Sequence, residues 1–568
     1  MKRLVIAAAA FACAAAQADY SHTTYTGSDI DLKTLAVETD GKFVLGTGNY
    51  SDDEWSWTKE RIYDGVTELQ NEGKADYRWF EPGWVNGDTG DTACNWAGYQ
   101  TQSPVVVTHI SFLARNDEDE CAARARGCRF EGANSAEFSD PVVLYTVPAD
   151  TDIETLKAGW VEIAIDDATL LNTPFTYLRV VADDEFCGNF IEVEFYGQTW
   201  ADATSEAPSA APQNFTLASA GDDADTVTLA WDIPGFSCMS TRVFRATAPG
   251  GPFTTIVATL PSTTATCTDS LARTPGVAYY YCARFFNVKD AAELAGPVSA
   301  TQEHRHYAEI AYDWETMTPI AQAEWNADQA RFAFDNDTTT FPDLNASTED
   351  LKKRFKVGVD LGAEYVATGF KVYPRTHNNL GERANGAYLA GSSDDSDIDN
   401  FSWAENPVAL SPEMAGIAES EEKWYTFSTT NHTPCRFIYL MKPTSQEFYG
   451  NVAELKLYGY LQSNVESVLL APENAAAAWH GTRAVITWTA SPNAASYKVE
   501  RSSDGGVTWT ELDNGITNTT YTDRPTKATS ISYIYRVASV DNSGNLAYTV
   551  SITPTGTPTA PGMTITVY

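Results

Sequence analysis

The chain has 568 residues, too many for one hydrophobic core, so a row of several domains is expected. Hydrophobic residues make up 43% and aromatics 12%, which supports packed cores and excludes wholesale disorder. A formal net charge of −38 repels phosphate backbones and argues against a nucleic-acid partner, while the surplus of carboxylates suits solubility and hard divalent cations.

Residues 1–18 read as a signal peptide. Lys2 and Arg3 form the basic start, Leu4 to Ala16 the apolar stretch, and Ala16-Gln17-Ala18 a small-x-small cleavage site. Cleavage removes those two cations and takes the charge from −38 to −40. Cys13 follows Ala12, as in a lipoprotein, but the bulky Phe11 disfavours lipidation. No other apolar run approaches the ~20 residues a helix needs to span a membrane. The expected address is therefore extracellular, periplasmic or cell-surface, without a membrane span.

A first domain is expected over 19–198. It carries Cys94, Cys121, Cys128 and Cys187, which an oxidising compartment would join as disulfides in one of three pairings. Residues 199–212, rich in Ala, Ser and Pro, read as a linker. A short β domain follows over 213–302, then a larger one over 307–461, a second short one over 465–556, and a tail, 557–568. The near pair His304 and His306 falls between domains in this reading.

The larger domains repeat one another. ISFLAR (110–115) matches FKVYPR (370–375), Arg124-Ala125-Arg126-Gly127 matches Arg383-Ala384-Asn385-Gly386, and GNFIEVEFYG (188–197) matches GNVAELKLYG (450–459). Both are rich in Thr, Val, Tyr and Trp and lack helical periodicity, so strands are expected throughout. In the later copy, alternation puts Val357, Val359 and Leu361 on one face, as it does Phe370 and Val372.

The short domains also match. Trp231 and Trp488 each end an early strand, TRVFRATAPGG (241–251) pairs with SYKVERSSDGG (496–506), and VAYYYCARFF (277–286) pairs with ISYIYRVASV (531–540). Alternation places Tyr279, Tyr281 and Ala283 on one face, and Tyr533, Tyr535 and Val537 likewise. An early core Trp and a late tyrosine-rich strand resemble fibronectin type III domains, which implies Ig-like sandwiches acting as spacers or docking surfaces, with both tryptophans in the core.

The strand pair RFKVGVDLGAEYVATGFKVYPR (354–375), the loop FDNDTTTF (334–341) and the closing NVAELKLYG (451–459) resemble discoidin domains, of the coagulation factor 5/8 C-terminal type. The first copy is more divergent, with YDGVTELQ (63–70) in place of that loop. The resemblance implies an all-β array: two galactose-binding-like jelly-roll sandwiches alternating with two fibronectin-like ones. It further implies a structural calcium at Asp335, Asp337, Thr340 and Glu454, and more weakly at Asp64 and Glu192. The competing reading of the Asp-rich loop is an Asx turn capped by its own backbone.

Ligands of that family bind where loops gather at one end of the sandwich. Here Arg375, His377, Asn378, Arg383 and Asn385 crowd eleven residues, and Tyr449 precedes the last strand. Planar multi-donor groups beside an aromatic ring suit a sugar, with hydroxyls on its rim and an apolar face. Equally, Arg375 and Arg383 could pack or pair within the sandwich, as their repetition at Arg115 and Arg124 allows. The chain lacks a Gly-x-Ser-x-Gly elbow, a HExxH helix and a glycine-rich phosphate loop. An exported, non-catalytic glycan-binding protein is expected. The alternatives are an adhesion protein whose domains bind protein, and an accessory subunit of a glycan-degrading enzyme.

Overall fold

The computed structural model describes residues 29–559 except 40–42, 47–49, 52–55, 58–61, 64, 66–95, 117, 183–188, 220–224, 271–272, 312–317, 322–324, 354, 395–406, 444, 467, 527 and 529. The signal peptide, Asp64, Cys94, Cys187 and most of the C-terminal tail lie outside these residues. Among the described residues no helix is long and apolar enough to cross a membrane.

The chain is all-β. Its first large sheet has the strand order Ile30–Asp31, Phe190–Thr199, Trp96–Ala114, Phe175–Val181, Arg129–Ala133, Val142–Thr146. The other large sheet runs Ala308–Glu309, Val452–Leu461, Lys356–Pro374, Cys435–Met441, Tyr388–Ser392, Val408–Ala409. In each, the long third strand pairs with two further strands. The order is the same, so the sequence repeat is a repeat of topology.

The long strand serves both layers of its sandwich. Lys356–Asp360 pairs with Cys435–Met441, and the register then slips before Tyr365, where pairing with Val452–Leu461 begins. Gly362 sits at the slip with φ 71, and its N–H donates to Asp360 Oδ1 at 2.8 Å. Val357, Val359, Phe370 and Val372 all enter one core, with Leu361 packed against it, as the alternation predicts.

Each small domain has two facing sheets. Thr216–Ser219, Thr226–Ala230 and Thr266–Ser270 oppose a sheet built on Ser240–Ala246 and Ala278–Lys289. In the last domain, Glu473–His480, Arg483–Thr489 and Thr520–Asp523 oppose a sheet built on Ser496–Ser502 and Ile534–Val540. Trp231, Tyr279, Tyr281 and Ala283 share one core, and Trp488, Tyr533, Tyr535 and Val537 share the other. One polar cluster recurs beside each: Tyr281 and Arg245 both donate to Asp269 Oδ2, at 2.8 and 2.6 Å, and Tyr535 and Arg501 both donate to Asp523 Oδ2 at 2.8 Å. His304 is not in a linker. It lies in the strand Gln302–Arg305, opposite Tyr279, because that strand completes the first small domain's larger sheet.

The domains touch. Asn172 of the first large sandwich donates to Pro234 O at 2.7 Å and accepts from Cys238 N–H at 2.9 Å. Asn464, after the second large sandwich, donates to Pro275 O at 3.2 Å. The two small sandwiches meet directly: Gly250 N–H donates to Tyr548 O and Tyr548 N–H to Gly251 O, each at 2.8 Å. A Cβ at Gly250 would lie 1.7 Å from Thr549 O, so only glycine permits this approach.

Candidate functional site

Pro374 closes the long strand of the second large sandwich, and the chain then makes two short 3-10 turns, His377–Asn379 and Gly381–Ala384. Asn378 and Asn379 hold φ of 61 and 58, a left-handed conformation that asparagine tolerates better than most residues. These turns lift His377, Asn378 and Arg383 to the surface. Across from them lies Phe341. His377 stacks on its ring at 5.7 Å, and the Arg375 guanidinium carbon sits 4.0 Å from the same centroid.

Arg375 is 6% exposed, its Nη1 is 2.9 Å from Asp343 Oδ1, and its Nε has no acceptor among the described residues. Buried Asn451 locks three loops together: its carboxamide donates to Pro342 O and accepts from Arg383 Nη1, both at 3.2 Å. Arg383 and Lys352 lie 4.9 and 5.7 Å from the Tyr449 ring centre. The structure thus gathers Arg375, His377, Asn378, Arg383 and Tyr449 at one end of the sandwich.

Two of the sequence expectations change. The Asn385 side chain does not face a ligand: it donates to Ile417 O at 2.8 Å and accepts from Ile417 N–H at 3.0 Å, which pins a neighbouring loop. Tyr449 is not a free stacking platform, since its ring carries two cations and its hydroxyl donates to Glu447. A different aromatic is open. Trp325 is 51% exposed, and its backbone bridges Asn345, two residues beyond Asp343, while Asn326 donates to Asp343 O at 3.0 Å. Sequence reasoning missed Trp325, Phe341, Asp343 and Asn451. Only Asn451 carried a signal, the Gly-Asn repeated at 188–189.

The Asp-rich loop lies against the closing strand. Asn336 N–H donates to Glu454 Oε1 at 2.7 Å, Asp337 N–H to Asp335 Oδ1 at 3.0 Å, and the Thr340 hydroxyl to Asp335 Oδ2 at 2.8 Å. The Asp337 side chain turns outward to Thr339. Asp337 and Thr340 both take part in the hydrogen bonds of the Asx turn that the loop forms. Glu454 is buried, and burial pushes its carboxyl up to about 8, with Asp335 adding to the rise against the Asn336 N–H bond. Among the described residues no three His, Cys, Asp or Glu side chains converge on a metal position. The set fits a hard cation in one respect: two neighbouring carboxylates, one of them buried, need a proton or a cation between them.

In the first large sandwich Glu192 is fully buried. Its Oε2 accepts from Gly65 N–H at 3.0 Å, and its Oε1 from Lys33 Nζ at 3.3 Å. Burial alone would lower the Lys33 pKa, but Asp31, Glu192 and Glu194 outweigh it and hold the ammonium above its usual value. Cys121 and Cys128 are both buried in this sandwich.

No family model matches the chain, and no curated protein does. Solved structures do. The chain is similar to carbohydrate-binding modules. One is a family 62 module from Clostridium thermocellum, at 24% identity over 28% of this chain and 94% of that one, with a TM-score of 0.21. Another is a family 32 module from C. perfringens in complex with galactose, at 18% identity over 27% and 98%, with a TM-score of 0.18. The chain is also similar to an Fn3-like protein from C. thermocellum, at 35% identity over 15% and 91%, with a TM-score of 0.14.

Proposed function

We propose that the chain is an exported, non-catalytic glycan-binding protein in which discoidin-like sandwiches, 19–198 and 307–461, alternate with fibronectin-like ones, 213–302 and 465–556. The ligand end of the second discoidin-like sandwich is the surface around Arg375, His377, Asn378 and Arg383, with Trp325 as the stacking face. One observation carries this reading: the exposed His377, Asn378 and Arg383 lie at one end of the sandwich on a packed base of Arg375 and Phe341, with Trp325 51% exposed on the segment that bridges Asn345. Planar donors beside an exposed ring suit a sugar's hydroxyl rim and apolar face.

The affinity follows from the contacts. Three or four hydrogen bonds at about 1 kcal/mol net and one stack of similar size give roughly −4 to −6 kcal/mol, or Kd values from about millimolar to tens of micromolar. Calcium belongs to the same reading. Asp335 and Glu454 would hold it, with backbone carbonyl oxygens and water completing the shell, and it would brace the loop that leads into Phe341. The ion supplies no chemistry to a ligand.

The test is a glycan array probed with the full chain, followed by titration of the best hit into wild type, Trp325→Ala and Arg383→Ala. Binding that both substitutions weaken at least about tenfold supports the proposal. An array without a hit moves the preference to adhesion through protein contacts.

A further inference from the structure

The two large sandwiches can be laid on one another by register. Ile30 and Asp31 pair with Gly197 and Tyr196, and Ala308 and Glu309 pair with Gly459 and Tyr458. Glu192 stands opposite Leu113, and Glu454 opposite Tyr373, which are matching positions of the long strands. Each glutamate also accepts a backbone N–H from a residue with positive φ, Gly65 (φ 79) or Asn336 (φ 59). The two buried carboxylates are therefore equivalent in strand, partner and loop.

Their cations are not. Two residues after Asp31 comes Lys33, whose ammonium is 3.3 Å from Glu192 and 3.6 Å from Asp31, on a side chain 12% exposed. Two residues after Glu309, the matching place holds Ala311, an exposed methyl. The later copy's nearby lysine, Lys456, stands where the first copy has Glu194, and it pairs outward with Glu309 at 3.0 Å. The first sandwich thus brings its own cation to the buried glutamate, and the second has none at that place among its described residues.

We infer that the ammonium of Lys33 stands in the first sandwich for the divalent cation of the second, so that the first sandwich is built to be calcium-independent. It departs from the sequence expectation of a weaker calcium site at Asp64 and Glu192, and it rests on the calcium reading of the second sandwich. An ammonium offers one charge and three donors, which suits a buried carboxylate with a backbone N–H on its other oxygen. Calcium wants six to eight oxygens and would have to displace a tethered cation from its counter-ion. Removing the lysine takes a cation away from a buried carboxylate, which is unfavourable.

The experiment measures calcium binding to the full chain by equilibrium dialysis, with thermal unfolding followed in chelator and in millimolar calcium. Wild type should bind a single equivalent, lost in Glu454→Gln and kept in Glu192→Gln. Lys33→Ala should unfold earlier in chelator and gain a calcium equivalent, and it should do so in the Glu454→Gln background as well. That background separates the two readings: calcium kept in Glu454→Gln alone defeats the site in the second sandwich and leaves the lysine test intact. Two equivalents in wild type, one of them lost in Glu192→Gln, would overturn the inference. So would a Lys33→Ala protein in the Glu454→Gln background that neither binds nor responds to calcium. If Lys33→Ala fails to fold, Lys33→Met/Glu192→Gln should restore folding; failure of that pair also overturns it.

Discussion

Arg375 is the residue whose removal says most about the ligand end. Its side chain is 6% exposed, pairs with Asp343 and lies 4.0 Å from the centre of Phe341. Asp343 is half exposed, so solvent screens the ion pair to about 0.5 kcal/mol. The contact with Phe341 is worth about 1 kcal/mol. The buried methylene stem adds about 1 kcal/mol more, since arginine packs as well as charges. Arg375→Ala should therefore destabilise its sandwich by about 2–3 kcal/mol. For a domain of this size that lowers the transition by roughly 4–12 °C. Arg383 is exposed but donates to buried Asn451 and lies over Tyr449, so Arg383→Ala should cost about 1–2 kcal/mol and lower the same transition by roughly 2–8 °C. Calorimetry of the full chain, paired with glycan titration, reads both effects. Superimposable wild-type and Arg375→Ala unfolding profiles would refute the packing derived for this arginine.

Trp325→Ala should weaken glycan binding by about tenfold and change stability by less than about 0.5 kcal/mol, because the ring is 51% exposed. Titration and urea unfolding of the same variant check both halves. Tyr535→Phe should cost about 1–2 kcal/mol in the last sandwich, since Asp523 loses one of its two donors; the urea midpoint should fall with an unchanged slope. With divalent cations chelated, pH should matter through Glu454, whose folded carboxyl sits at about 8 against an ordinary 4.5. The folded state then holds a proton that the unfolded chain releases. Stability should be greatest below about pH 4.5 and fall as pH rises through about 8, by at most about 5 kcal/mol. Saturating calcium should flatten that slope, and a slope unchanged by calcium would count against the cation site.

The architecture was legible because strands announce themselves by alternation and duplicated domains by matching tails. The faces predicted for Val357, Val359, Phe370 and Val372, and for Tyr279, Tyr281 and Ala283, are the faces that pack. Both tryptophans are core residues, at 4% and 5% exposure. The candidate site was legible only where it is local. Arg375, His377 and Arg383 lie close in sequence, whereas Asn451 reaches Pro342 across 109 residues and Lys33 reaches Glu192 across 159. Contacts of that span follow from sheet order, which no short motif encodes. Asn385 and Tyr449 were misjudged for a related reason: polar and aromatic residues in a loop serve a ligand or the loop itself, and only their partners distinguish the two.

The hydrogen bonds between Gly250–Gly251 and Tyr548 join one of the first domains made to the last. Both large sandwiches also lean on the first small one, through Asn172 and through Asn464. Through these hydrogen bonds the chain is closed on itself, like a clasped bracelet. Contacts of this kind limit how far the last sandwich can swing about its linker, and Gly250→Val, which sets a Cβ against Thr549 O, should release it.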